Sequence, residues 1–181
     1  RDALRYGCTT FVVDNMAELK KFRNYRHRVG LLLRVSFRGE TAVVDLSRKF
    51  GCVPEEALNL IHRAKQMGIH VKGLSFHVGS QSANADAHVR AIRVCADIMA
   101  QSEVPLSVLD IGGGFPVNYD GNTADINSFC APIRQALQDI PADVDVIAEP
   151  GRYLVAPAAM TISSVMGMAD RDGRTWYYLD D

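Results

Sequence analysis

Three short clusters hold most of the side chains in this sequence that could do chemistry. They are His77-Val78-Gly79-Ser80-Gln81, Gly112-Gly113-Gly114 and Glu149-Pro150-Gly151-Arg152. Each follows an apolar stretch, and together they offer an imidazole, a hydroxyl, bare backbone amides, a carboxylate and a guanidinium. Amides at a turn form an anion nest, and arginine adds a planar two-pronged donor, so the set suits a phosphate. Three glycines in a row lose much backbone freedom on folding. They serve either the approach of a phosphate oxygen or only a tight strand exit. Glu149 ends the apolar run Val146-Ile147-Ala148, where a lone buried carboxylate is costly. It is either an ion-pair partner of Arg152 or a carboxylate that holds a proton on a heterocyclic nitrogen. His77 is likewise either a hydrogen-bonded core histidine or a catalyst. Arg34, inside LLLRVSF, is a cation in an apolar run that needs an anionic partner, by default a structural one.

The elements that must carry these clusters alternate between strand and helix. TTFVVDN (9–15) reads as a strand, and Asn15 with Glu18 forms a capping pair for a helix through Phe22. GLLLRVSF (30–37) is a continuous apolar run, as expected of a strand covered on both faces. Pro54 with Glu55 and Glu56 opens a helix that carries Leu58, Ile61, Ala64 and Met67 and closes at Gly68. VKGLSFHVGS (71–80) is a strand, followed from about Asn84 by a helix with Ala85, Val89, Ile92, Ala96 and Met99 on one face. LSVLDIGGG (106–114) is the next strand. Its helix is capped by Asp125 and carries Ile126, Phe129, Ile133, Leu137 and Ile140, with a kink or break expected at Pro132. DVDVIAEPGRY (143–153) is a fifth strand, and TISSVMGMA, DRDG and TWYYLD read as a β-hairpin.

Five such units predict an α/β fold with a parallel sheet. The expected architecture is a partial (β/α)8 TIM-type barrel, about five of eight βα units over residues 1–160. It exits into a β-rich second domain that begins with the hairpin at 161–181. A doubly wound open sheet is the alternative. In both, ligands sit beyond the carboxyl ends of the strands, where the three clusters fall.

The bulk numbers exclude several classes. The 181 residues are 48% hydrophobic and 23% charged with a net charge of −1, ordinary composition for a globular domain. Scattered Lys and Arg give no footprint for nucleic acid or a membrane surface. No apolar run approaches the roughly 20 residues of a membrane span, and no secretory signal stands at the start. Cys8, Cys52, Cys95 and Cys130 are widely spaced, which favours reduced cytoplasmic thiols over disulfides or a metal site. The histidines lack ligand spacing, so no zinc is expected. A start without Met and an end inside a strand-like run read as a piece of a longer protein.

Four segments, LSRKFG (46–51), GLSFHVGSQ (73–81), LDIGGGFP (109–116) and AEPGRYLV (148–155), stand in this order over nearly the whole chain. They resemble the pyridoxal-phosphate-dependent decarboxylases of basic amino acids with an alanine-racemase-like barrel: ornithine, lysine/ornithine, diaminopimelate and arginine decarboxylases. FHVGSQ and DIGGGFP are more similar to the ornithine branch than to the diaminopimelate branch. The resemblance implies a cytoplasmic homodimeric lyase of polyamine biosynthesis with pyridoxal 5'-phosphate as cofactor. It implies that His77 stacks on the pyridine ring and that Glu149 salt-bridges the ring nitrogen, these two being the catalytic candidates. It also implies that Ser80, Gly114 and Arg152, with the amides of Gly112, Gly113 and Gly151, would bind the phosphate; Pro150 belongs to the same segment. Arg34 matches a family arginine near the cofactor.

The same resemblance places the Schiff-base lysine upstream of Arg1. It places the catalytic cysteine, the substrate-binding aspartates and a phosphate-contacting tyrosine after Asp181, the cysteine coming from the partner subunit. None of Lys20, Lys21, Lys49, Lys65 and Lys72 replaces that lysine, so the chain alone is expected to be inactive. The parent is expected to decarboxylate ornithine or lysine to a diamine. The alternatives are a non-catalytic, antizyme-inhibitor-like regulator or a diaminopimelate decarboxylase.

Overall fold

The structure, a computed structural model, describes residues 2–37, 49–119, 121 and 125–181. The first three residues of the LSRKFG segment therefore lie outside the described residues. Helix α1 (Asp2–Arg5) precedes strand β1 (Thr10–Val13), helix α2 (Met16–Phe22) and strand β2 (Gly30–Val35). Then come helix α3 (Pro54–Gln66), strand β3 (His70–Phe76), helix α4 (Asp86–Gln101), strand β4 (Val108–Asp110), helix α5 (Ile126–Ala136) and strand β5 (Asp145–Ile147). Helix α6 (Gly151–Val155) and the hairpin strands β6 (Val165–Arg171) and β7 (Arg174–Leu179) follow.

The five strands pair in parallel in sequence order, β1-β2-β3-β4-β5. A doubly wound sheet would reverse that order at a switch point; the steady progression is that of a barrel wall. The fold is the expected α/β partial barrel with a small antiparallel sheet after it. The β6–β7 turn puts Asp172 and Gly173 at φ 51° and 72°, the left-handed pair that a two-residue hairpin turn needs.

Helix starts follow local chemistry. The Asn15 side chain accepts from the Glu18 N–H at 3.0 Å, and that of Asp125 accepts from the Asn127 and Ser128 N–H groups. Pro54 opens α3, where its missing N–H costs nothing. Pro132 does not break α5. Phe129, Ile133 and Ala136 are buried on one face across it, and that shared burial carries the helix past one missing hydrogen bond.

Three expectations are corrected. The strand expected over 143–153 stops at Ile147, because Pro150 has no N–H for the ladder; Leu154 N–H then bonds the Pro150 carbonyl and α6 begins. The buried face of α4 is His88, Ala91, Ile92, Cys95 and Ile98, with Ala87 beside it. Of the face expected there, Val89, Ala96 and Met99 are only partly buried. On α3, Ala57 and Leu60 join Ile61 and Ala64 inside, leaving Leu58 and Met67 half-covered.

The core lies between the sheet and helices α3, α4 and α5, with Leu31, Leu74, Leu109, Ala91, Ile92 and Cys95 fully buried. Leu74→Ala empties space between Leu33 and Leu109, its register neighbours, and is expected to cost about 2–5 kcal/mol in urea unfolding. Asn15→Ala removes one cap and is expected to cost about 1 kcal/mol. Comparable losses from both would contradict this placement of the core.

Candidate functional site

The barrel's pleat builds the site. Arg34, Ser75 and Asp110 are register partners across β2, β3 and β4, so a polar row crosses one face of the sheet. Side chains two residues apart share a face, which brings His77, Gly112 and Glu149 onto that same face, one step nearer the strand ends. Ser75 and Asp110 are buried.

Where β4 ends, the neighbouring backbones leave no room for side chains. A Cβ on Gly112 would stand 2.1 Å from the Phe76 carbonyl oxygen, and one on Gly114 2.4 Å from that of Gly79. A Cβ on Gly113 would meet Glu149 O at 2.7 Å and His77 Nε2 at 3.1 Å. Gly112 and Gly114 also hold φ at +65° and +97°. The three glycines are thus required by the approach of β3 and β5, in addition to whatever the turn binds.

That crowding has an electrostatic result. The Gly112 carbonyl accepts from the Glu149 N–H at 2.8 Å, and the Gly114 carbonyl from the Ser82 N–H at 2.9 Å. The Gly113 carbonyl lies 3.0 Å from His88 Nε2. Asp110 Oδ1 takes the Gly112 N–H at 2.9 Å. The Gly113 and Gly114 N–H groups have no acceptor among the described residues. Carbonyls are therefore turned into the protein and amides left over, which is the arrangement an anion needs.

Arg152 completes the set from β5's far end. Its Nε donates to Ser80 Oγ at 3.0 Å, and a terminal nitrogen reaches the Tyr119 hydroxyl at 3.4 Å. Arg152 makes no ion pair with Glu149, so the structural pairing that the sequence left open is absent. Glu149 is exposed rather than buried. The Gly151 N–H donates to the Glu149 carbonyl at 2.7 Å, so it is engaged internally, and Pro150 is the cap of α6. Arg34 has no ion pair among the described residues; its guanidinium lies over the Phe50 ring, 5.4 Å from the centroid.

His77 Nδ1 accepts from the Gly79 N–H at 2.9 Å, which leaves its proton on Nε2. Burial pulls its pKa down, Arg34 adds to this, and Glu149 opposes it. A neutral ring on this face can stack against another ring. Burial raises the Asp110 pKa, with Glu149 adding and the Gly112 N–H and Arg34 opposing. Gln81, at φ 58°, ties the two glycine-bearing loops together through both its amide atoms, to Val117 O at 2.6 Å and Val117 N at 2.9 Å.

A family model described as "Pyridoxal-dependent decarboxylase, pyridoxal binding domain" matches residues 1–156. The chain belongs to this family. As a pyridoxal-binding domain, its cofactor is pyridoxal 5'-phosphate, and the anion-facing amides and Arg152 fit the phosphate group. The chain is similar to the lysine/ornithine decarboxylase of Selenomonas ruminantium, 36% identical over 183 residues, covering 99% of this chain and 47% of the relative. It is 34% identical to the ornithine decarboxylase of Saccharomyces cerevisiae over 175 residues, 90% of this chain and 36% of the relative. The crystal structure of lysine/ornithine decarboxylase complexed with putrescine from Vibrio vulnificus superposes with a TM-score of 0.83 at 53% identity, covering 100% of this chain and 48% of that one. The chain thus spans about half the length, or less, of these relatives.

Three residues of this pyridoxal-binding domain escaped the sequence reading: Asp110, Tyr119 and His88. Asp110 sits inside a motif that was read for its glycines. Tyr119 lies past the motif, and only the fold brings it to Arg152. His88 had a signal, since it stands at helical spacing with Ala91, Ile92 and Cys95, but a histidine breaks an apolar stripe on paper.

Burial drives the His88 pKa down to about 4; the Gly113 carbonyl opposes this and His77 adds to it. Below the ordinary value of 6.5, the unfolded chain therefore gains a proton that the folded one refuses. The stabilising difference is complete above that pH and shrinks as pH falls toward 4. Between pH 7.5 and 5 this residue is expected to remove about 2 kcal/mol of stability. Urea unfolding of wild type and His88→Phe at both pH values checks it; parallel pH slopes would refute the assignment.

Proposed function

We propose that the full-length protein containing this chain decarboxylates a basic amino acid, ornithine or lysine, to the corresponding diamine, as in polyamine biosynthesis. The observation that carries the reading is the Arg152–Ser80 pair, joined at 3.0 Å, beside the Gly113 and Gly114 amides, which have no acceptor among the described residues. Pyridoxal phosphate, when bound, supplies an electron sink for the pair left on the substrate's α-carbon as carbon dioxide departs. Ser80, Arg152 and the Gly113 and Gly114 amides hold the phosphate, and the neutral His77 ring offers its face to the pyridine. Glu149 keeps a proton on the pyridine nitrogen, and Arg34 tunes the charge around it. Gly112 and Pro150 shape the backbone on either side. A non-catalytic regulator has no use for a phosphate counter-charge and a nitrogen partner, so the intact Ser80, Glu149 and Arg152 weigh for the enzyme.

The Vibrio relative is described in complex with putrescine and with cadaverine. These are the diamines left when ornithine and lysine lose carbon dioxide, which supports that substrate class here. The reading includes a homodimer with a shared active site and cytoplasmic location. It takes residues 1–160 as the cofactor-binding barrel and the β6–β7 hairpin as the start of a β-rich domain.

Arg152→Ala is expected to weaken pyridoxal phosphate binding at least tenfold, about the worth of a charged hydrogen bond. Unchanged affinity would sink the phosphate assignment. Glu149→Gln is expected to lower turnover roughly a hundredfold or more while affecting cofactor affinity far less; equal turnover would remove Glu149 from the chemistry. Carbon dioxide release is measured with L-ornithine, L-lysine, L-arginine and meso-diaminopimelate, and release from ornithine or lysine is expected. No release and no bound cofactor would favour the regulator.

A further inference from the structure

His88 is buried among aromatic rings at the first turn of α4, with Phe76, Phe115 and Phe129 centroids at 6.3, 5.2 and 5.8 Å. Its exposure is 0%. Nε2 lies 3.0 Å from the Gly113 carbonyl oxygen, so Nε2 carries the proton and donates. Nδ1 is buried with no partner among the described residues. An unpaired buried nitrogen is unfavourable, and an apolar ring in this cage would avoid it. Packing alone therefore does not account for a histidine here; the hydrogen bond to Gly113 does.

That bond acts on the anion site through peptide geometry. In a trans peptide the C=O of one residue and the N–H of the next point in opposite directions. Holding the Gly113 carbonyl toward α4 turns the Gly114 N–H away from α4, where it has no acceptor among the described residues. Glycine on both sides of this peptide offers little resistance to rotation of its plane. A rotated plane would present a carbonyl oxygen to the anion in place of an N–H. The Gly112 and Gly114 carbonyls are held by backbone N–H groups, whereas the Gly113 carbonyl is held by the His88 side chain.

We propose that His88 is a positioning residue of the phosphate cradle, fixing the Gly113–Gly114 peptide so that the Gly114 N–H faces the phosphate. The proposal rests on the phosphate-binding reading of the glycine turn and goes one layer behind it. His88 touches neither substrate nor cofactor in this role.

The test compares the affinity of the full-length protein for pyridoxal 5'-phosphate with that for pyridoxal, which lacks the phosphate. His88→Phe keeps a ring in the cage and deletes the donor. Its preference for the phosphorylated form is expected to fall about tenfold, with pyridoxal affinity unchanged. His88→Gln carries an N–H the same number of bonds from Cβ and is expected to restore most of that preference. A role in packing alone would weaken both ligands together, and an unchanged preference in His88→Phe would overturn the proposal. Arg152→Ala separates the two layers. If it too leaves the preference unchanged, the phosphate reading itself fails; if it abolishes the preference while His88→Phe does not, only the positioning role fails. Should His88→Phe not fold, nitrogen-15 spectra of the unaltered holoprotein still decide. His88 protonated on Nε2, with hydrogen-bond coupling to the Gly113 carbonyl carbon, is expected; the Nδ1-protonated form overturns the proposal.

Discussion

Where β4 gives out, the backbones of β3, β4 and β5 come closer than any side chain permits, and the rest of the site follows from that approach. A Cβ on Gly112 would sit 2.1 Å from a main-chain oxygen of the neighbouring strand, and one on Gly73 equally close to Val108 O. With side chains excluded, each carbonyl of the glycine turn finds a donor in an adjoining loop or helix. The amides that remain have nowhere to go except outward. The proposed anion site arises here because the protein has satisfied its acceptors first. No cationic side chain is needed at the turn itself, and Arg152 arrives from α6, just beyond the next strand, to supply the full charge.

The ionisable groups around the turn are kept apart in state by their surroundings. His77 and His88 are both held neutral chiefly by burial, yet to different ends. His77 lies at the edge of the site with one nitrogen occupied by the Gly79 N–H, so its ring face is available. His88 lies behind the turn, where a neutral ring can donate from one nitrogen only. Asp110 and Arg34 share the polar row beneath them, and the arginine offsets part of what burial does to the aspartate. Glu149 remains exposed to solvent at the strand end, free to take a cationic ring nitrogen as its partner.

Much of the architecture was legible because its causes are local. The Asn15 and Asp125 caps, Pro54 at a helix start and Asp172-Gly173 at a hairpin turn each act within a few residues. The continuous apolar run at 30–37 announced a strand covered on both faces. The helix faces were less legible. Helices α3 and α4 turned partly away from the expected stripes: Ala57, Leu60 and Ala91 are buried, while Leu58, Val89 and Met99 are only partly so. The strand expected through 153 failed at a proline whose effect depends on which neighbour would have accepted its N–H.

By itself the sequence determined the order of elements, the parallel α/β class, and the placing of His77, the glycines and Glu149-Arg152 at strand ends. These follow from periodicity and turn chemistry, which operate over short stretches of chain. Tertiary structure alone decided that Arg152 bonds Ser80, 72 residues away, and makes no ion pair with Glu149. It also decided that His88, 25 residues from Gly113, stands behind the turn. The direction of a peptide plane is set by whatever group lies opposite its carbonyl, and only the closed packing of strands against α4 put a histidine there.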